Sequence, residues 1–178
     1  MAWTAPKTWT ASEDVDFAEF NTHIRDNLNE TAPGVASAAG RLIVTDAVNS
    51  IVERIPTAAA VTTSETTTST SYTDLATAGP AVTVTSGTLA LVIVGCDLSN
   101  ATVGVRAAMG YAVSGATTIA ATDVDAFIAQ ASAAGRRFAA SRAFLVTLTG
   151  GSNTFTAKYS VSAGTGTFRN REIIVIPF

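Results

Sequence analysis

Charge is scarce in this sequence. Only 14% of its 178 residues are Asp, Glu, Lys or Arg, where an average soluble domain carries about 25%. The net charge is −3 and the sequence pI is near 5.0. That balance excludes the basic face a phosphate backbone requires, so no nucleic-acid partner is expected. A single cysteine, Cys96, excludes an internal disulfide, and its place at the end of an apolar run predicts a buried thiol. No apolar run approaches the ~20 residues of a membrane-spanning helix, so no membrane insertion is expected. The start, MAWTAPKTW, lacks a basic stretch leading into an apolar core, so synthesis in a cytoplasm is expected.

Catalytic raw material is equally thin. The one histidine, His23, lies beside Arg25 and Asp26 with no cysteine or acidic cluster near it, which predicts a solvated helix surface. There is no Gly-x-Ser-x-Gly elbow. Gly150-Gly151 and Gly164-Thr165-Gly166 fall between predicted strands, where they serve turns rather than phosphates. A polysaccharide-cleaving site needs paired carboxylates, yet Asp74, Asp97, Asp123, Asp125 and Glu172 are scattered. The chain is expected not to be an enzyme, with no catalytic residue, no cofactor and no metal site.

What the chain does have is 47% hydrophobic residues, with polarity supplied by Thr, Ser, Asn and Gly. Such a composition suits β-structure and a surface easily buried against another subunit. The centre is Thr88 to Ser114. Leu89 to Val94 reads as a strand buried on both faces, Asp97 to Thr102 as a turn, and Val103 to Val113 as a returning strand with alternate apolar positions. This predicts a hairpin at the heart of a β-sandwich. Further strands are expected at 71–75, 81–85, 142–149, 153–161 and 172–177. Thr149-Gly150-Gly151-Ser152 signals a second hairpin. Along the strand after it, Phe155, Ala157, Tyr159 and Val161 share one face. The last strand, EIIVIPF, is apolar on both sides, so it is either central or covered by another copy. The fold class is mainly β: an antiparallel jelly-roll-like sandwich over 71–178.

Ahead of it come a stretch over 1–34 and a stalk or linker over 35–70. Trp3 and Trp9 flank Pro6 and either fold back or dock into a neighbour. Ser12 is placed to cap a helix whose first turn holds Glu13, Asp14 and Asp16. Phe17, Phe20, Ile24 and Leu28 form one apolar stripe along it, and Pro33-Gly34 ends it. The stripe packs on the chain's own sandwich, or it serves self-association or attachment to a larger particle. Residues 40–56 predict a small hairpin, and the Thr-rich 57–70 an extended connector. The segment 116–141 is ambiguous, with 123–134 reading as helix or exposed loop. Its Asp123, Asp125, Arg136 and Arg137 are candidate contacts for a host-surface sugar polymer, against the plainer reading of solvated loop charges.

Three stretches also carry a resemblance. WTASEDVDFAEFNTHIRDNLN, with Asn21, Thr22, Arg25, Asp26 and Asn27 as its core, resembles the N-terminal module of tailed-bacteriophage virion proteins. AAGRLIVTDAVNSIVERIP resembles a segment that precedes trimeric distal domains of tail-fibre and minor-tail proteins. SGTLALVIVGCDLSNATVGVRAAMGYAVSGAT resembles their β-sandwich heads. The resemblance implies a homotrimer in the virion, anchored to other phage head or tail proteins through the N-terminal region. It implies a distal β-domain able to meet bacterial surface polysaccharide, and no catalysis. The chain is short for a tail fibre and has no repeated shaft, which favours a compact appendage. The alternative is a free lectin-like carbohydrate-binding module.

Overall fold

The structure, a computed structural model, describes residues 4–5, 7–14, 16–29 and 31–178. The chain divides into two units, residues 1–55 with Phe178 and residues 56–177. Trp3 and Pro6 lie outside the described residues.

In the first unit a continuous helix, α1, spans 17–29. It is α-helical over Phe17–Phe20, π-helical over Asn21–Asp26 and α-helical again over Asn27–Asn29. Its cap is Asp16, which accepts from the Ala18 amide at 3.1 Å, and not Ser12. The helix starts later than expected because Glu13 turns back to the Thr10 amide and hydroxyl, both at 3.2 Å, and to Lys7 at 2.5 Å. A single further turn, α2 (Ala32–Val35), contains Pro33-Gly34. Then β1 (Leu42–Ala47) and β2 (Ser50–Arg54) form the expected antiparallel hairpin. Its turn is closed by Asn49 at φ 58°, a left-handed conformation that asparagine tolerates. Glu53 on β2 accepts from the Ser37 amide and hydroxyl at 2.9 and 2.7 Å, tying the hairpin to the preceding loop. Those two bonds hold the Glu53 carboxyl below its ordinary range.

The second unit is a two-sheet sandwich. Its strands are β3 (Thr57–Val61), β4 (Glu65–Thr67), β5 (Ala81–Ser86), β6 (Leu89–Asn100), β7 (Arg106–Gly115), β8 (Ala126–Gln130), β9 (Phe138–Thr147), β10 (Gly151–Val161) and β11 (Gly166–Pro177). One sheet runs β3-β11-β6-β9, with β4 also on β11; the other runs β5-β10-β7-β8. Leaving out short β4 and counting eight strands in chain order, the sheets read 1-8-3-6 and 2-7-4-5. That interleaving is the jelly roll. The core between the sheets is built from alternate residues of each strand. Ala90, Val92, Val94 and Leu98 of β6 meet Met109, Tyr111 and Val113 of β7 and Phe155, Ala157, Tyr159 and Val161 of β10. Cys96 is buried there, and burial pushes its thiol up to about 12.

Several sequence expectations change. The central segment is not a hairpin: β6 and β7 lie in opposite sheets, as do β9 and β10 on either side of Gly150-Gly151. Each of these turns carries the chain across the sandwich. A corner between sheets needs the same Gly-rich chemistry as a hairpin, so turn residues alone do not separate the two. Leu89 to Val94 is buried on one face only; Leu91 and Ile93 point outward. The Thr-rich stretch 57–70 is extended but not a free connector, since β3 and β4 both pair with β11. Ser71 to Leu75 contributes one bridge, Thr73 to Tyr159, and not a strand. The ambiguous 123–134 segment contains β8, an edge strand on β7. The final strand is central, between β3 and β6.

One buried charge organises the lane beside β11. A bulge at Arg169–Glu172, with Asn170 at φ 47°, turns Arg171 inward, where it is completely buried. Its guanidinium lies 3.2 Å from Glu65 and donates to the Thr77 carbonyl at 3.3 Å and the Thr63 hydroxyl at 3.2 Å. It also sits 5.4 Å from the Tyr159 ring centroid. Tyr159 in turn donates to the Gly79 carbonyl at 2.9 Å. The cluster fastens β4 and the 68–80 loop onto the sandwich.

Candidate interaction surfaces

Within the first unit the four side chains of the expected apolar stripe are bare. Phe17 is 85% exposed and Leu28 63%, with Phe20 and Ile24 also exposed. Among the described residues of this unit only Asn27 is buried. The helix face beside the stripe is occupied by the chain's own N-terminal segment. The Asn27 amide accepts from the Thr4 N–H at 3.0 Å and donates to the Thr4 carbonyl at 2.9 Å and the His23 carbonyl at 3.0 Å. His23 Nδ1 lies 3.1 Å from the Ala5 carbonyl. Lys7 pairs with Glu19 at 2.7 Å as well as with Glu13, and sits 4.5 Å from the Trp9 ring centroid. These carboxylates raise the Lys7 pKa, and Lys7 lowers that of Glu13. Trp9 is therefore half-buried against its own unit, while the stripe stays open.

At the sandwich end away from Thr57 and Pro177, three loops are stitched together. The Gly135 amide donates to the Asn100 carbonyl at 2.8 Å, the Gly104 amide to the Ala131 carbonyl at 2.8 Å, and the Ala101 amide to the Thr165 carbonyl at 3.0 Å. Asn100 Nδ2 adds a bond to the Ala163 carbonyl at 3.1 Å. Arg137 pairs with buried Asp97, which sits on β6. Arg136 donates to the Ser132 hydroxyl at 3.1 Å and lies 5.7 Å from the Phe138 ring centroid. Both arginines are exposed, but each has a partner within the sandwich.

Asp123 and Asp125 do not converge with them. Asp123 Oδ1 accepts from the Tyr72 hydroxyl at 2.9 Å and from Arg106 at 2.7 Å. Arg106 and then Tyr72 hold its carboxyl low, while burial, followed by Asp123, raises the Tyr72 phenol. The Tyr72 ring lies across Gly110, where an added Cβ would meet it at 3.1 Å. This cluster straps the 68–75 and 116–125 segments over the four-stranded sheet. Sequence reasoning missed it because Tyr72, Arg106 and Asp123 are far apart in the chain and carry no common motif.

The two outer sheet faces differ sharply. The four-stranded sheet shows Thr83, Thr85, Thr154, Thr156 and the Lys158–Asp74 pair at 2.7 Å. The five-stranded sheet shows Leu89, Leu91 and Ile93 from β6, Ile174 and Ile176 from β11, Ala58 and Ala60 from β3, and Ala143 and Leu145 from β9. Leu145 is 66% exposed.

Among the described residues no three His, Cys, Asp or Glu side chains gather as metal ligands would, and no helix is long and apolar enough to cross a membrane. No protein-family model matches the chain, and no curated protein matches it.

Proposed function

We propose that this chain is a non-catalytic structural component of a tailed-phage virion, assembled in the host cytoplasm as a homotrimer. The N-terminal unit attaches to other head or tail proteins, and the jelly roll is displayed outward, where its stitched loops face the host surface. The observation that carries this reading is the open stripe of Phe17, Phe20, Ile24 and Leu28 on a unit in which no apolar side chain is buried among the described residues. A short helix of this kind is stable only when its stripe is covered, so the unit is built for a partner. The N-terminal resemblance supplies the class of particle.

The jelly roll also occurs in lectins as well as in viral capsids. Exposed aromatics on the strand faces would favour a lectin-like module, and none of the aromatic side chains of residues 56–177 is exposed. That disfavours the alternative.

The test is where the protein resides. Mass spectrometry and antibody labelling of density-banded particles should find the full chain on the virion. A Phe17→Asp/Leu28→Asp variant should be absent from particles while its tyrosine circular dichroism stays that of wild type. Wild-type protein missing from particles, or a variant that incorporates normally, would refute the reading.

A further inference from the structure

The aliphatic outer face of the five-stranded sheet has a shape as well as a composition. Across one row of paired residues it reads Ala58, Ile174, Ile93, Ala143, from β3 through β11 and β6 to β9. The profile is small, large, large, small. The next row toward Pro177 reads Ile176, Leu91, Leu145, and there β3 contributes no paired residue. The row on the other side is Ala60, Glu172, Gly95, Ser141, and the row beyond it carries Arg169 and Asp97, so the charges of this face lie to one side of its apolar rows. Four strands spaced about 4.8 Å apart give a face roughly 19 Å wide. With rows of alternate residues along the strands, the apolar part covers a few hundred Å², the size of the largest apolar patch on a typical monomer, which is often functional.

We propose that three copies of this chain pack these faces around a common axis parallel to the strands, forming a closed triangular core. Three faces about 19 Å wide enclose a triangle whose centre lies only about 5–6 Å from each backbone plane, the reach of an Ile or Leu side chain. Ile174, Ile93, Leu91 and Ile176, at the middle of each face, fill that axis. The corners, where β3 of one copy meets β9 of the next, admit only small side chains, and Ala58 and Ala143 supply them. Leu145 projects at the level where β3 has no residue opposite. Two flat faces stacked about 10 Å apart would leave voids at both alanine flanks, so the profile suits three copies rather than two. The low charge lets the face meet itself without repulsion. This rests on the homotrimer reading for its stoichiometry, and it assigns the sandwich contact that reading leaves open.

The test joins β3 to β9 covalently in the full chain. Within one copy Ala58 and Ala143 are three strands apart, about 14 Å, beyond the ~7 Å that a disulfide can span. An Ala58→Cys/Ala143→Cys variant should therefore cross-link only between copies. Under mild oxidation it should close into a covalent trimer and nothing larger, with buried Cys96 as a silent background. Ile174→Asp, whose side chain points away from the core, should reduce the sedimenting species to a monomer with unchanged circular dichroism. A wild-type trimer whose cysteine pair stays uncrosslinked, and which Ile174→Asp does not dissociate, would overturn this contact while leaving the homotrimer in place. A wild-type monomer would overturn both. A cross-linked trimer absent from virions would leave the face standing and remove the particle reading.

Discussion

Replacing Arg171 with methionine tests the buried cluster directly. Methionine keeps the apolar stem and removes the guanidinium. The Gly79 carbonyl keeps its bond from Tyr159, and exposed Thr63 is satisfied by water. The Glu65 carboxylate loses its counter-ion but keeps the Thr77 amide at 3.1 Å and hydroxyl at 2.6 Å. What is lost is the pairing with half-buried Glu65 and the guanidinium's bonds to the Thr77 carbonyl and Thr63 hydroxyl; two hydrogen bonds from a charged donor are together worth about 3–5 kcal/mol. For a unit of this size that lowers the melting midpoint by about 10–20 °C. The assay is built into the composition. All three tyrosines, Tyr72, Tyr111 and Tyr159, lie in the sandwich, while both tryptophans, Trp3 and Trp9, precede it. Near-ultraviolet tyrosine dichroism therefore follows this unit alone. A midpoint within about 3 °C of wild type would show that the cluster is ornamental and refute the reasoning.

Two further outcomes follow from local geometry. Glu65 is held below its ordinary 4.5 chiefly by the Thr77 hydroxyl, then by the Thr77 amide and Arg171. A carboxyl whose folded pKa lies below its unfolded one adds stability above the unfolded value and loses it as pH falls through the folded value. Urea midpoints should thus show a wild-type advantage over Glu65→Gln that is level near neutral pH and shrinks below pH 4.5; a difference that grows on acidification would contradict the assignment. Asn27→Ala removes the two hydrogen bonds to Thr4 that hold the N-terminal segment to α1, a loss of about 1–2 kcal/mol in local stability. Trypsin should then cut after Lys7 about tenfold faster, and an unchanged rate would count against the clasp.

Side-chain facing was legible in the sequence because a strand's period of two is local. Phe155, Ala157, Tyr159 and Val161 share one face by that period, and it is the face buried in the core. The two-sided apolar character of EIIVIPF pointed either to a central strand or to one covered by another copy, and the strand is central. Topology was not legible, since each jelly-roll pairing joins residues far apart and a Gly-Gly corner looks the same whether it folds back or crosses over. β3 and β4 hid in a Thr-rich stretch with little apolar signal. β8 hid because DVDAFIAQ satisfies both a helical and a strand period. Arg171 was invisible as a core residue: in the string RNRE nothing marks one arginine as buried, and only the bulge at Asn170 turns it inward.

Strands β3 and β11 lie side by side and antiparallel, with Thr57 opposite Val175 and Val61 near the bulge. A pull transmitted from residue 56 against a load held at the stitched loops runs along β3, not across it. The five paired residues then resist together in shear instead of peeling apart one bond at a time. Mechanical strength in this sandwich is accordingly directional: firm along its strands, and weak to a sideways tug that unzips the same edge.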